Sequence, residues 1–402
     1  MAAQPAQKPH FAEFVPLIAS LMALGALGID IMLPALPVIG RQLHVADANN
    51  LQWIVSVYFL GFGVGQLIFG VLSDWLGRKA IMVGGVFLYV IFGLIAAFTD
   101  NFTFLLVLRL LQGIAASTTS VVARSIIRDL YSGPQMAKVT SISLVVFLLV
   151  PILAPSIGQL ILLAGPWQAI FFAMAAFGTF AGLWAFFRLP ETLPPEKRQR
   201  PDLNHLKRVS LFIIIQPTSL FYTLAITVMI GSLLTYVSLM PQIFQDVFQK
   251  PALMAPVFAA CAATMGAASI VNATLVERVG LLRMSHSALI GFITLSATHL
   301  IWCLSGLETI ASFMIFQGLT MGAMSLTTSN FTAIAMEKVG HVAGTASSLQ
   351  GVVTTVGAAI LAGLIGRGWH GHVYLLPLAA TVCGLIAMGF VLLSAKGRLF
   401  KA

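Results

Sequence analysis

Charge is scarce in this chain. Only 9% of its 402 residues are charged, while 58% are apolar. Soluble domains carry about 25% charged residues. A water-soluble fold of this length would leave too much apolar surface uncovered, so the composition points to a chain that crosses a bilayer many times. The strict alternation over segments of about 10 residues that marks a membrane barrel is also missing. Cysteine is rare: Cys261, Cys303 and Cys383 all fall inside apolar runs. An odd, scattered set offers no disulfide framework and reads as structural thiols. Of the eight histidines, only His370-Gly-His372 has a ligand-like spacing, in a short loop without Cys, Asp or Glu nearby. Neither a metal nor a cofactor is expected there. No nucleophile–base pair and no nucleotide-binding loop occurs, so the chain does not read as an enzyme.

The charge that is present is basic, net +9. It is spread over loops instead of one soluble face, which argues against nucleic acid as a partner. The apolar runs place spans at roughly 14–36, 51–72, 80–98, 103–123, 139–163, 167–188, 213–240, 254–276, 284–304, 309–329, 342–366 and 373–394, each near the ~20 residues that cross a bilayer. An all-α polytopic protein of twelve helices follows. Residues 1–13 are polar and lead into an apolar run with no small-residue cleavage site, so the first helix is expected to be retained. The cations fix an orientation. With Arg109 inside a span, only Arg41, Lys250 and Arg367 fall on the side opposite the N-terminus, and the remaining Lys and Arg fall on the N-terminal side. Both termini are therefore expected in the cytoplasm.

The chain is organised around Gly70-Val-Leu-Ser-Asp74-Trp-Leu-Gly77-Arg78-Lys79, a tight charged loop between two apolar runs. Leu72, Asp74 and Gly77 recur as Leu275, Glu277 and Gly280, 203 residues later. Leu111-Gln112-Gly113 resembles Phe316-Gln317-Gly318, and Thr140–Leu144 resembles Thr345–Leu349, both at an offset of 205. Duplication of a six-helix unit explains all three, and repeats of this kind are common in transporters. The halves are expected at 1–188 and 213–402, joined by a Pro-rich, charged cytoplasmic linker over 189–212. Small residues recur every four positions at Ala343, Ser347, Gly351, Thr355, Ala359 and Gly363, and briefly at Gly61 and Gly65. They predict close helix packing.

Few ionisable groups lie deep in the spans. Asp30 in span one and Arg109 in span four stand out, and a charge at the bilayer centre costs several kcal/mol (~2.5–3.5 on the mildest scale). Placing the two near each other is the simplest way to tolerate both. Arg109 aligns with Met314 and span seven has no central carboxylate, so the repeat folds without these charges. That makes Asp30 a candidate proton carrier: burial disfavours its ionised form and a nearby Arg109 favours it. Pro151, Pro155 and Gly158 predict a bend or hinge in span five. Arg124, Arg128 and Asp129 at the end of span four face Asp74 across the loops, and cross-loop ion pairs are expected there, with Lys138 as a further member or a topology charge.

These residues resemble the major facilitator superfamily, and within it the twelve-helix drug:proton antiporters of the bicyclomycin-resistance (Bcr/CflA) branch. Gly70–Lys79 is similar to the family's loop motif, although Trp75 stands where arginine is usual. Arg109-Leu-Leu-Gln112-Gly113 is similar to its fourth-helix motif, whose arginine the resemblance links to proton coupling. Asp30-Ile-Met-Leu-Pro34-Ala-Leu-Pro37 and Ala343–Leu349 resemble the branch itself. Ala154–Gln159 keeps the proline and one glycine of the antiporter motif. The resemblance implies a monomeric exporter in the bacterial inner membrane. It would move small amphipathic compounds against protons by alternating access, with an exporter of a sugar, amino acid or nucleoside as the alternative. Gly70, Asp74, Gly77, Arg78, Lys79, Arg128, Asp129, Pro151, Pro155 and Gly158 would serve the conformational change. Tyr58, Gln112, Tyr236 and Asn330 are the candidate substrate contacts.

Overall fold

The computed structural model describes residues 10–131, 133–198, 200, 208, 211–212, 215–339, 343–395, 397 and 399–400. Residues 1–9 and most of the 201–210 part of the expected linker lie outside the described residues. Among the described residues the chain is helical with no strand: α1 (Phe11–Asp30), α2 (Leu36–Gln42), α3 (Trp53–Leu76), α4 (Arg78–Ala97), α5 (Phe102–Leu130), α6 (Gly133–Ala164), α7 (Gln168–Arg188), α8 (Pro217–Gln242), α9 (Met254–Val279), α10 (Leu281–Leu304), α11 (Ile310–Glu337), α12 (Ala343–Gly366) and α13 (Leu375–Ser394). Eleven helical segments are long and apolar enough to cross a membrane, and Leu149–Ala164 in α6 is a shorter apolar stretch. Every expected span thus coincides with a helix.

Local chemistry sets several boundaries. Asn101 caps α5 by accepting from the Phe104 N–H at 2.9 Å, and Thr309 with Ser312 forms a capping box at the start of α11. Pro217 opens α8 at a position where a missing N–H costs nothing. Gly77 and Gly280 turn the chain between helix pairs with φ of 105° and 90°, a region open to glycine and strained for other residues. Pro151 and Pro155 lie inside α6 without splitting it. The remaining i→i−4 bonds of that 32-residue helix carry it past both rings.

The chain divides into two compact units, Met1–Ala46 with Trp53–Leu203, and Asp47–Gln52 with Asn204–Ala402. In the first, α3 and α5 pack backbone to backbone. Gly61 lies against the Leu110 carbonyl, Gly65 against Ile114, and Gly113 against the Tyr58 carbonyl, where any Cβ would collide. In the second, Gln52 Nε2 donates to Gln242 Oε1 (2.7 Å) and Asn49 Nδ2 to the Trp369 carbonyl (3.0 Å), which ties the 47–52 segment to that unit. α12 packs along α8, with Gly357 set against Thr227 and Leu361 against Gly231; these positions lie on a different face of the helix from the expected small-residue stripe.

Candidate functional site

The first unit holds a buried polar cluster built on a helix break. Pro34 has no N–H to give the Asp30 carbonyl, and its ring crowds that carbonyl. α1 therefore stops at Asp30, and the chain continues through a short 3-10 turn, Leu33–Ala35, into α2. The Met32 N–H turns to the Ile29 carbonyl (3.2 Å) and the Ile31 N–H to Leu27 (3.3 Å). The Gly28 carbonyl is left for Arg109, whose Nη2 donates to it at 2.6 Å.

Arg109 is fully buried on α5. Its Nη1 donates to Gln112 Oε1 at 2.7 Å, and its Nε points to the Ile54 carbonyl at 3.5 Å. The guanidinium lies 4.4 Å from the centre of the Tyr58 ring. Gly113 makes this stacking possible, because it lets α5 approach the α3 backbone at Tyr58 itself. Burying an isolated ion costs several kcal/mol. Two hydrogen bonds from a charged donor contribute roughly 1.5–3 kcal/mol each, and a desolvated cation–π contact about 2. The cluster therefore holds the charge near break-even. The Tyr58 hydroxyl donates to the Gly25 carbonyl (3.1 Å) and Gln112 Nε2 to Tyr89 (3.5 Å). The Tyr89 hydroxyl is buried with no hydrogen-bond partner among the described residues.

Asp30 is buried, 6% exposed, and makes no hydrogen bond or ion pair with any described residue. Arg109 is brought to the α1 break two residues from Asp30, but it makes no ion pair with it. The arginine grips α1 at Gly28, and two residues of helix rotate the chain by roughly 200°, so Asp30 leaves α1 on another face. Arg109 instead stacks on Tyr58, which also lies within electrostatic reach of Asp30. Gly158 on α6 packs against the Ile31 carbonyl, next to Asp30, where a side chain would collide. The span-five motif thus touches the break in α1, and Pro155 lies one turn before it.

The loop motif forms a second cluster. Arg78, almost fully buried, bonds Asp74 (2.6 Å), Asp129 (3.1 Å) and the Ser73 hydroxyl (2.7 Å). Ser73 also donates to the Gly70 carbonyl at 2.9 Å, which closes the preceding turn. Glu191 accepts from the Arg78 N–H (2.9 Å) and the Lys79 N–H (3.3 Å), so a carboxylate sits on the free N–H groups and positive dipole end of α4. Gly77 is required twice, for its φ and because a Cβ would meet the Glu191 carboxylate. The expected cross-loop pairs exist, but Arg78 makes them. Arg128 makes no hydrogen bond or ion pair with the described residues, and Lys138 lies over the Phe11 ring at 5.3 Å. Lys79 lies over Phe186 at 5.7 Å.

The four candidate substrate contacts are all buried. Tyr58 and Gln112 belong to the Arg109 cluster. Tyr236 stacks on Phe258 at 5.5 Å, and Asn330 Nδ2 donates to Asn272 (2.7 Å) and to the Leu326 carbonyl (2.8 Å). Sequence reasoning missed Glu191, absorbed into a linker read for topology alone, and Tyr89, a polar residue inside span three. It also missed a grouping of His299, Cys303 and Glu308, whose ligand atoms lie within 4.8 Å of one another. The i, i+4 spacing of the first two was the available signal.

A bundle of apolar, membrane-length helices with a buried Arg–Gln–Tyr cluster at a broken helix defines a polytopic membrane protein. The family model described as Major Facilitator Superfamily matches residues 18–362, and the chain belongs to that family of transporters. It is 32% identical over 358 residues to the "Uncharacterized MFS-type transporter YdgK" of Bacillus subtilis, covering 87% of each chain. It is 31% identical over 356 residues to the "Bicyclomycin resistance protein homolog" of Haemophilus influenzae, covering 88% of each. Among solved structures, a D-xylose-proton symporter superposes with a TM-score of 0.77 at 12% identity, covering 97% of this chain and 100% of that one. The human organic anion transporter MFSD10 gives 0.69 at 19%, covering 96% and 100%. These two likenesses concern the fold.

Proposed function

We propose that this transporter exports small amphipathic compounds, antibiotics among them, in exchange for protons. The relatives carrying bicyclomycin-resistance and multidrug-resistance names support the substrate class. The observation that carries the coupling is Asp30: a buried carboxyl at the α1 break, without a hydrogen-bond or ion-pair partner among the described residues, two residues from the carbonyl held by Arg109. A carboxyl so placed changes its proton occupancy when helix movement changes its access to water or to the arginine. Asp30 carries the proton, and Arg109 with Gln112, Tyr58 and Tyr89 reports the position of α1 to α3, α4 and α5. Tyr58 and Gln112 in the first unit, and Tyr236 and Asn330 in the second, are the proposed substrate contacts. The Asp74–Arg78–Asp129 cluster and the Gly158 contact set which conformation is held. The protein works as a monomer in the bacterial inner membrane, with both termini cytoplasmic and the halves 1–188 and 213–402 joined by 189–212.

The test is proton release from purified protein in weak buffer on adding a panel of antibiotics and dyes. Wild type releases protons with at least one compound, and Asp30→Asn, folded and binding the same compound, releases none. Equal release from both would remove Asp30 from the centre of the mechanism. Release from wild type with sugars, amino acids or nucleosides alone would move the substrate class to metabolites.

A further inference from the structure

We propose that His299, Cys303 and Glu308 form a zinc-binding site at the end of α10 remote from the Gly280 turn. The three residues lie in one unit and outside both clusters described above. His299 and Cys303 are one turn apart on the same face of α10. The chain then reverses through Gly306 (φ 74°), and the return brings Glu308 back over that face. His299 Nε2 lies 3.2 Å from Glu308 Oε1, and Cys303 Sγ lies 3.4 Å from Glu308 Oε2. A tetrahedral Zn2+ with bonds of about 2.0–2.2 Å to N and O and about 2.3 Å to S sets its ligand atoms roughly 3.3 Å (N to O) and 3.6 Å (S to O) apart. The observed separations are of that order, although they run to the two different oxygens of Glu308, and one ligand atom from each residue falls within 4.8 Å of the others; a zinc ion draws the imidazole and the thiol inward onto the carboxylate as it enters.

The surroundings favour a preformed site. The Trp302 indole N–H donates to the Leu307 carbonyl at 3.1 Å and pins the turn. The Thr309–Ser312 capping box fixes the direction in which the chain leaves Glu308. The His299 ring stacks on Phe316 at 5.0 Å and 9° and abuts Phe313 at 6.0 Å, which holds its plane. His299 is buried, whereas Glu308 keeps 11% of its side chain exposed, giving an ion a way in and a water a place as fourth ligand. No Lys or Arg among the described residues pairs with Glu308. On binding, Cys303 gives its thiol proton to solvent as the Zn–S bond forms. Zn2+, one thiolate, one carboxylate and a neutral imidazole then sum to no formal charge, which suits an apolar helix end. The bound metal would clamp the α10–α11 turn.

The experiment uses full-length, tag-free protein in detergent, stripped with chelator and titrated with Co2+ and Zn2+. Wild type should take up one cobalt per chain with sulfur-to-cobalt charge-transfer absorption in the near ultraviolet, and Zn2+ should displace it. Cys303→Ser should lose that absorption, and Glu308→Gln should weaken binding at least about tenfold, the loss common for even an outer partner of a metal ligand. Zn2+ should also protect Cys303 of wild type from maleimide, mapped by mass spectrometry, which keeps the test decisive if a variant fails to fold. Absent charge-transfer absorption, unprotected Cys303, or variants that bind as wild type would each overturn the site.

Discussion

α5 and α11 occupy equivalent places in the internal repeat, yet they do opposite things with the same motif. In α5 the motif reads Arg109-Leu-Leu-Gln112-Gly113, and its charge is buried among carbonyls, an amide and an aromatic ring. In α11 it reads Met314-Ile-Phe-Gln317-Gly318, and Met314 faces outward, 37% exposed. Gly113 admits the backbone of the neighbouring helix, whereas Gly318 has only ordinary contact with Thr264 at 3.4 Å. The charged loops differ likewise. Around Gly77, Asp74, Asp129 and Glu191 enclose Arg78, while Gly280 has open space around it and Glu277 lies exposed. The fold is satisfied by the plain version. The polar investment in the first unit therefore serves something other than folding, which is the physical basis for placing proton coupling there.

The comparison can be broken most sharply at Arg109. Arg109→Ala strands the Gly28 carbonyl and Gln112, each at about 1–3 kcal/mol, and should abolish coupled transport while lowering the melting temperature. Met314→Ala should leave uphill transport within about twofold of wild type, since substitutions away from buried features usually cost under about 0.5 kcal/mol. Parallel transport and thermal-melting assays check both, and an active Arg109→Ala would end the distinction between the repeats.

The glycines should separate by sign. Gly113→Ala drives a Cβ into the Tyr58 carbonyl and should destabilise by about 1–3 kcal/mol, the usual cost of overpacking. Gly318→Ala meets no such obstacle and should be neutral or stabilise by up to about 1 kcal/mol through helix propensity. Thermal melting in detergent reads the difference, and equal shifts would mean that the two helix pairs pack alike.

The smallest effect concerns the loops. Asp129→Asn removes one of two carboxylates from a buried Arg78 and should cost about 1 kcal/mol, with a faster interchange of conformations seen as raised cysteine labelling in transport-side positions. Glu277→Gln, exposed and without an ion pair among the described residues, should fall within about 0.5 kcal/mol of wild type. A larger effect at Glu277 would show that the second loop also carries a conformational contact.

Much of this architecture was legible in the chain. The twelve spans coincide with helices because apolar length is a local property. Asp30, Arg109 and the loop motif stood out because a charge in an apolar run is visible without any partner. The partners were not legible. Nothing local says that Arg109 would choose the Gly28 carbonyl over the Asp30 carboxylate, since that choice depends on the rotation of α1 and on where Pro34 frees the backbone. Glu191 was hidden among linker charges because its target, the N-terminus of α4, lies more than a hundred residues away in sequence. His299 and Cys303 were one turn apart in plain sight, but Glu308 joins them only through the reversal at Gly306.

Composition and periodicity alone thus settle a polytopic helical protein with a duplicated half, because bilayer insertion responds to the hydrophobicity of each segment in turn. Tertiary structure alone decides which buried polar groups meet. A hydrogen bond requires heavy atoms within about 3 Å and aligned, and that condition depends on helix rotation, on breaks such as the one at Pro34, and on glycines that let two backbones close together.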